Sequence, residues 1–451
     1  MSDRNSFPAD FLWGAATSAH QIEGSPLADG AGPSNWHRFS HTPGRTRNGD
    51  TGDVACDHYR RWREDVSLLC ALGVNAYRFS IAWSRILPEG TGSVNAAGVA
   101  FYDRLVDALL EAQIQPVVTL FHWDLPAALE DRGAWLERDS AEWFAEYARV
   151  MFRALGDRVG MWATLNEPWV VMNAGYAHGV HAPGHRGWDE VPHVSHNLLR
   201  AHGLAVRAYR AERGGGRIGI VVNLEPKYAV SERAEDVAAT ARADAYMNRH
   251  YLDPLFKGTY PEELVAMFGT TWPEFPEEDF RLIGEPIDFL GINYYKRSVT
   301  CDDPDAPPVR ARDVPQPGLH TELRWEVYPA GLTDILVWVH DRYATIPLYV
   351  TENGAAFADP ATVHGDIPQD PRRVAYLRDH IRAVARAREL GSDVRGYFAW
   401  SLLDNFEWAE GYSKRFGLYH VNFETQQRTP KASAQFYANV IRSRGAVVSD
   451  E

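Results

Sequence analysis

Eight short apolar runs alternate with helical segments along this chain, and few folds accommodate that order. Residues 11–16, 76–81, 115–120, 159–165, 217–222, 287–292, 347–351 and 394–400 have the β-branched and aromatic content of buried strands. Helical periodicity marks residues 55–72, 97–113, 141–155, 193–213, 332–343, 372–390 and 432–442. The first of these helices stops at Gly73, a residue suited to the left-handed position after a helix end. Eight buried strands interleaved with helices imply a (β/α)8 barrel. A doubly wound open sheet is the alternative, but no GxGxxG follows the first run. Gly214, Gly215 and Gly216 precede a strand and read as a helix-to-strand turn.

The 451 residues could by length form two or three domains. No repeat or low-complexity linker divides them, so residues 1–451 are expected to form one barrel domain. Residues 17–24 read as a polar loop, and residues 301–325, rich in Asp and Pro, as a long loop before the seventh strand. Long loops after barrel strands build substrate clefts. A hydrophobic content of 45% with 24% charged residues is globular, far from disorder. The net charge of −14 argues against nucleic acid or an anionic membrane surface as partner. Three cysteines are too few for a disulfide framework and fit a reducing compartment. Residues 1–7 lack the basic and apolar regions of a leader, and no apolar run approaches a spanning helix. A cytoplasmic, soluble chain is therefore expected. Fifteen tryptophans call for places where large flat rings are useful, such as the apolar faces of sugars.

Polar residues fall at particular points of this pattern. Gln21, Arg78, His122, Asn166, Glu167, Tyr294, Glu352 and Trp400 stand at or just beyond the C-terminal ends of predicted strands. In a (β/α)8 barrel those ends share one face, where active sites lie. Glu352 ends the seventh strand before Asn353-Gly354, which reads as turn chemistry because both residues tolerate positive φ. Two carboxylates on one rim, with no Ser/His/Asp arrangement and no metal cluster, suit glycoside hydrolysis. One must carry a proton for the leaving oxygen and the other must be ionised, a division that environment can impose. Arg78 is placed to favour the charged form of Glu352, and Tyr294 to donate a hydrogen bond to it.

Four longer motifs carry a family resemblance. Thr164-Leu165-Asn166-Glu167-Pro168 and Val350-Thr351-Glu352-Asn353-Gly354 surround the two carboxylates. The run from Phe11 to Gly24 (FLWGAATSAHQIEG) and that from Trp400 to Trp408 (WSLLDNFEW) flank the first and eighth strands. With these motifs in this order the chain resembles the glycoside hydrolase family 1 β-glycosidases over essentially its whole length. The resemblance implies Glu352 as nucleophile, Glu167 as general acid/base, and Asn166 as the residue holding the sugar 2-hydroxyl. It implies Gln21, His122 and Glu407 as partners of the 3-, 4- and 6-hydroxyls. Trp400, Trp408, Trp123 and Asn293 would complete that subsite, Trp325 would form a platform for the aglycone, and Trp169 and His178 would stand on its rim. The implied activity is retaining hydrolysis of terminal β-D-glucosyl residues from small glycosides, without cofactor, with carboxyl groups ~5–5.5 Å apart.

Rival readings meet specific residues. A 6-phospho-β-glycosidase would need a small hydroxyl residue where Glu407 stands, although Lys414 keeps a cation nearby. Catalytically inactive or thioglucoside-cleaving relatives lack one of the two Glu, and both are present. His178, His181 and His185 cluster in sequence, but Pro183 and Gly184 interrupt any helix. No His-x-x-x-His pair is read on a clear helical face, so no metal is expected.

Overall fold

The computed structural model describes residues 7–343, 346–359 and 367–448; residues 1–6, most of the stretch that lacks leader features, lie outside the described residues. Eight parallel strands close a barrel: β1 (Leu12–Ala16), β2 (Ala76–Ser80), β3 (Gln115–Phe121), β4 (Met161–Asn166), β5 (Arg217–Asn223), β6 (Phe289–Asn293), β7 (Leu348–Asn353) and β8 (Val394–Trp400). Each strand pairs with its neighbours in sequence, and β1 pairs with β8 from Leu12 opposite Gly396 to Ala16 opposite Trp400. The expected fold class is the one formed.

The barrel interior is filled by side chains from successive strands: Ala16, Ala76, Val117, Met161, Ala163, Val221, Phe289, Tyr349 and Phe398 pack together there. Small residues let the strands close on bulky ones. A Cβ at Gly14 would overlap the Phe398 ring. Helices cover the outside, among them His58–Leu72, Ala96–Glu111, Ser140–Leu155, Val191–Ala211, Pro329–Tyr343, Pro371–Glu389 and Ala432–Arg442. Gly73 takes φ 74° after the first of these, as its position predicts. Among the described residues no helix is long and apolar enough to cross a membrane.

Three local expectations are corrected. Residues 17–24 are not simply a loop: Ala19–Ile22 forms a buried helical turn carrying Gln21. The 301–325 stretch contains the strand Ala311–Asp313, which joins Ser298–Asp302 and Lys227–Ala229 in a small sheet beside the barrel mouth. Asn353-Gly354 is not a positive-φ turn; Asn353 is the last residue of β7. Gly354 is instead needed for close approach, since a Cβ there would collide with the Trp400 carbonyl.

Candidate active site

The strands bearing the two carboxylates are irregular where those carboxylates stand. The pairing of β7 with β6 shifts register between Val350 and Glu352, and that of β4 with β5 between Ala163 and Asn166. Such irregularities re-aim side chains at barrel rims. Glu167 follows directly in the left-handed region, at φ 48° and ψ 60°, a costly conformation for a residue with a Cβ. Its N–H donates to the Val221 carbonyl at 2.9 Å, and Pro168 opens a helical turn after it. The backbone is thus held so that the carboxyl faces the mouth.

Glu352 is buried at 3% exposure and accepts two short hydrogen bonds. Arg78 Nη1 donates to Oε1 at 2.6 Å, and the Tyr295 hydroxyl to Oε2 at 2.6 Å. Arg78, wholly buried, also donates through Nη2 to Asn166 Oδ1 at 2.6 Å. Asn293 Nδ2 donates to that same Asn166 oxygen at 3.1 Å and to Glu167 Oε1 at 2.6 Å. Thr351 Oγ1 donates to Asn293 Oδ1 at 2.7 Å. One continuous network therefore joins the carboxyls of strands β4 and β7 through Arg78, Asn166 and Asn293.

The expected role of Tyr294 is overturned. Its hydroxyl donates to the Tyr328 carbonyl at 2.6 Å, and its ring packs beside His380, outside the barrel. Side chains alternate along an extended chain. Asn293 points inward to Glu167, so Tyr294 points outward and Tyr295 returns to the mouth. Adjacent tyrosines hide this choice in the sequence, because one residue of phase exchanges them.

The remaining residues form a wall against this network. His122 approaches Asn166 Nδ2 through Nε2 at 3.0 Å, and its ring stacks near Trp400 and Trp408 at 5.9 and 6.0 Å. Burial, with the Arg78 charge adding, lowers the His122 pKa well below its usual value, so the ring is neutral. With Nε2 accepting, the Nδ1–H has no partner among the described residues. Trp123 Nε1 donates to the Asn166 carbonyl at 2.9 Å, and its ring lies 4.5 Å from Trp408. Gln21 Nε2 donates to Asn405 Oδ1 and Glu407 Oε2, while its own oxygen accepts from Ser18. Trp325 packs at 5.2 Å on Tyr295, the residue that holds Glu352.

Three acidic side chains share this space. Burial, and next the charge of Glu352, raise the Glu167 pKa to about 8. The same two causes, in the same order, raise Glu407 to about 8. The cleft has a volume of about 820 Å³ and is lined by both catalytic candidates, His122, Trp325, Trp400 and Glu407. Trp169 and His178 line it as well. It is large enough for a sugar and a second group.

The three histidines that cluster in sequence do not converge in space. His178 packs against Trp188, His181 against Trp36 and Trp123, and His185 pairs with Glu190, so the three serve separate neighbours. His37 and His41 do stand four residues apart, His37 in the helix Asn35–Ser40 and His41 at its C-cap, where its N–H bonds to the His37 carbonyl. The pair was hidden because the Asn35–Ser40 helix is only six residues long, too short for its periodicity to register.

A (β/α)8 barrel with two buried, network-linked carboxyls at its mouth, facing an aromatic and amide-lined cleft, is the architecture of a paired-carboxylate glycoside hydrolase. The model of the family described as Glycosyl hydrolase family 1 matches residues 3–446, and the chain belongs to that family. Beta-glucosidase A of Thermotoga maritima is 50% identical over 443 residues, 97% of this chain and 98% of that protein. The Bifunctional beta-D-glucosidase/beta-D-fucosidase of Bifidobacterium breve is 45% identical over 461 residues, covering 98% and 99% of the two chains. The solved family 1 b-glucosidase from Thermotoga maritima superposes with a TM-score of 0.96 at 50% identity, covering 98% of this chain and 99% of that one. Its complex with castanospermine gives a TM-score of 0.95 at 49% identity, with the same coverage.

Proposed function

We propose that this chain is a retaining β-glucosidase that removes terminal non-reducing β-D-glucosyl residues from cellobiose, short cello-oligosaccharides and aryl glucosides. The observation that carries the reading is the network joining Glu167 to Glu352 through Asn293, Asn166 and Arg78. Relatives named beta-glucosidase, glucan glucohydrolase and beta-glucosidase/beta-fucosidase at 45–50% identity support it, and extend it to β-fucosides.

Glu352, fixed by Arg78 and Tyr295, attacks the anomeric carbon, and a carboxylate–sugar ester bond forms as the glycosidic bond breaks. Glu167, which holds its proton up to about pH 8, delivers it to the departing oxygen. Glu167 then takes a proton from water as the water oxygen attacks the same carbon. The ester bond breaks and the β configuration is restored. Asn166 is oriented by Arg78 and Asn293 to meet the 2-hydroxyl. Gln21, His122 and Glu407 receive the 3-, 4- and 6-hydroxyls, between Trp400 and Trp408. Glu407 fills the place where a 6-phosphate would need a small hydroxyl residue, and the Lys414 ammonium is engaged with the Glu322 carbonyl at 3.0 Å.

The test is a panel of 4-nitrophenyl β-glycosides with cellobiose and the 6-phosphoglucoside, followed by NMR of the first-formed anomer. Glucoside hydrolysis with β-glucose released first is expected. Preference for the phosphorylated substrate, or release of α-glucose, overturns the assignment.

A further inference from the structure

Behind the sugar-facing wall, His37, His41 and Asp53 turn one ring nitrogen each, or a carboxylate, toward a common point, all within 4.8 Å of one another. Ser34 caps the helix by accepting from the His37 N–H, and the i, i+4 spacing then brings His37 and His41, at the helix C-cap, side by side. Their rings lie 4.3 Å apart. Asp53 meets them from the following loop, with His41 Nε2 3.0 Å from Oδ2 and His37 Nδ1 3.4 Å from Oδ1.

The three groups present more acceptors to one another than neutral rings have protons for. His41 Nδ1 lies 2.7 Å from the His37 carbonyl, so it must carry a proton there. Its Nε2 then faces a second acceptor, the Asp53 carboxylate. A neutral imidazole has one N–H and cannot serve both. A second proton would satisfy His41 alone. His37 Nδ1 and Asp53 Oδ1 face each other at 3.4 Å and make no hydrogen bond among the described residues. A metal ion at the common point satisfies all three groups at once.

We propose that His37, His41 and Asp53 form a binding site for a divalent transition-metal ion of the zinc class. Two imidazoles and one carboxylate are its ordinary donors, and bonds of about 2.0–2.1 Å in tetrahedral geometry set neighbouring donors about 3.3 Å apart. The two ring nitrogens lie 3.0 and 3.4 Å from the two oxygens of Asp53, and one donor atom from each of the three residues lies within 4.8 Å of the others, which an ion can draw together. His41 also has the outer partner such ligands take, since its other ring N–H donates to a backbone carbonyl. The side chains of His41 and Asp53 are about two-fifths exposed, which gives the ion an entry path and room for water as fourth ligand. The ion ties the Asn35–Ser40 helix to the loop holding Asp53. Trp36, next to His37, packs at 4.6 Å on Trp408, so the clamp stands directly behind the sugar pocket without touching substrate.

The probes are Co2+, followed by its visible d–d absorption, and Zn2+, followed by calorimetry, on the chelator-treated full chain. Wild type is expected to bind one equivalent with four-coordinate cobalt bands. Zn2+ at a hundredfold excess over its Kd should raise the Tm by about 3 °C. His41→Gln and Asp53→Asn, both near in shape to the original, should each weaken binding at least tenfold while glucoside hydrolysis is retained. The second variant decides if the first does not fold. Absence of cobalt bands in wild type, or equal binding in wild type and both variants, overturns the site. So does a His41 ring that keeps both protons in NMR spectra at saturating zinc, which would show a proton standing where the metal is placed.

Discussion

Replacing Tyr295 with Phe removes one of the two donors to Glu352 while leaving the ring that packs on Trp325. The lost bond is 2.6 Å long, buried, and made to an ionisable acceptor. Hydrogen bonds of that kind contribute about 1.5–3 kcal/mol. If the bond serves to orient the attacking oxygen, the same energy appears in the barrier, and kcat/KM falls roughly 10- to 150-fold. Tyr294→Phe is the internal control. It removes an equally short bond, to the Tyr328 carbonyl on the far side of the strand. That variant should lose about 1 kcal/mol of stability and stay within about twofold of wild type in kcat/KM. Initial rates with 4-nitrophenyl β-D-glucoside, and Tm values for both variants, separate the cases. A Tyr294→Phe loss equal to or larger than that of Tyr295→Phe would refute both the strand phase and the role given to Tyr295.

Glu352→Gly should abolish turnover, with added azide restoring cleavage of activated glucosides and yielding the α-glycosyl azide by mass and NMR; unchanged hydrolysis removes Glu352 from the nucleophile role. The general-acid limb of kcat/KM should fall as pH rises through about 8, where Glu167 loses its proton, and Glu167→Gln should remove that limb. Glu407 has a folded-state pKa of about 8 against an ordinary 4.5, so the folded chain binds more protons between those values and its stability declines as pH rises across that window. Glu407→Gln should therefore gain more Tm over wild type at pH 8 than at pH 5, and an equal gain at both would show that burial does not set this proton. Trp325→Ala should raise KM for aryl glucosides several-fold with little change for glucosyl azide, whose aglycone is too small to stack; equal losses on both would place the ring elsewhere than the aglycone subsite.

How much of this was written in the sequence differs from residue to residue. Strand and helix order were legible because each barrel strand is buried on both faces and reads as an unbroken apolar run. Glu167 and Glu352 were legible because each interrupts such a run at its end. Gln21 was found by position although its surroundings were misread, since a four-residue helix leaves no periodicity. Tyr295 was missed for want of one residue of phase, and the His37/His41 pair for want of helix length.

The sequence by itself determined the closed barrel, its polar rim and the pairing of two carboxyls, because periodicity and strand-end position are local properties of the chain. Tertiary structure alone decided which tyrosine meets Glu352, that Arg78 and Asn293 bind both carboxyls into one network, and that Glu167 and Glu407 retain protons to about pH 8. Those depend on the register of neighbouring strands and on the dielectric of a closed pocket. Both arise only when residues hundreds of positions apart are packed together.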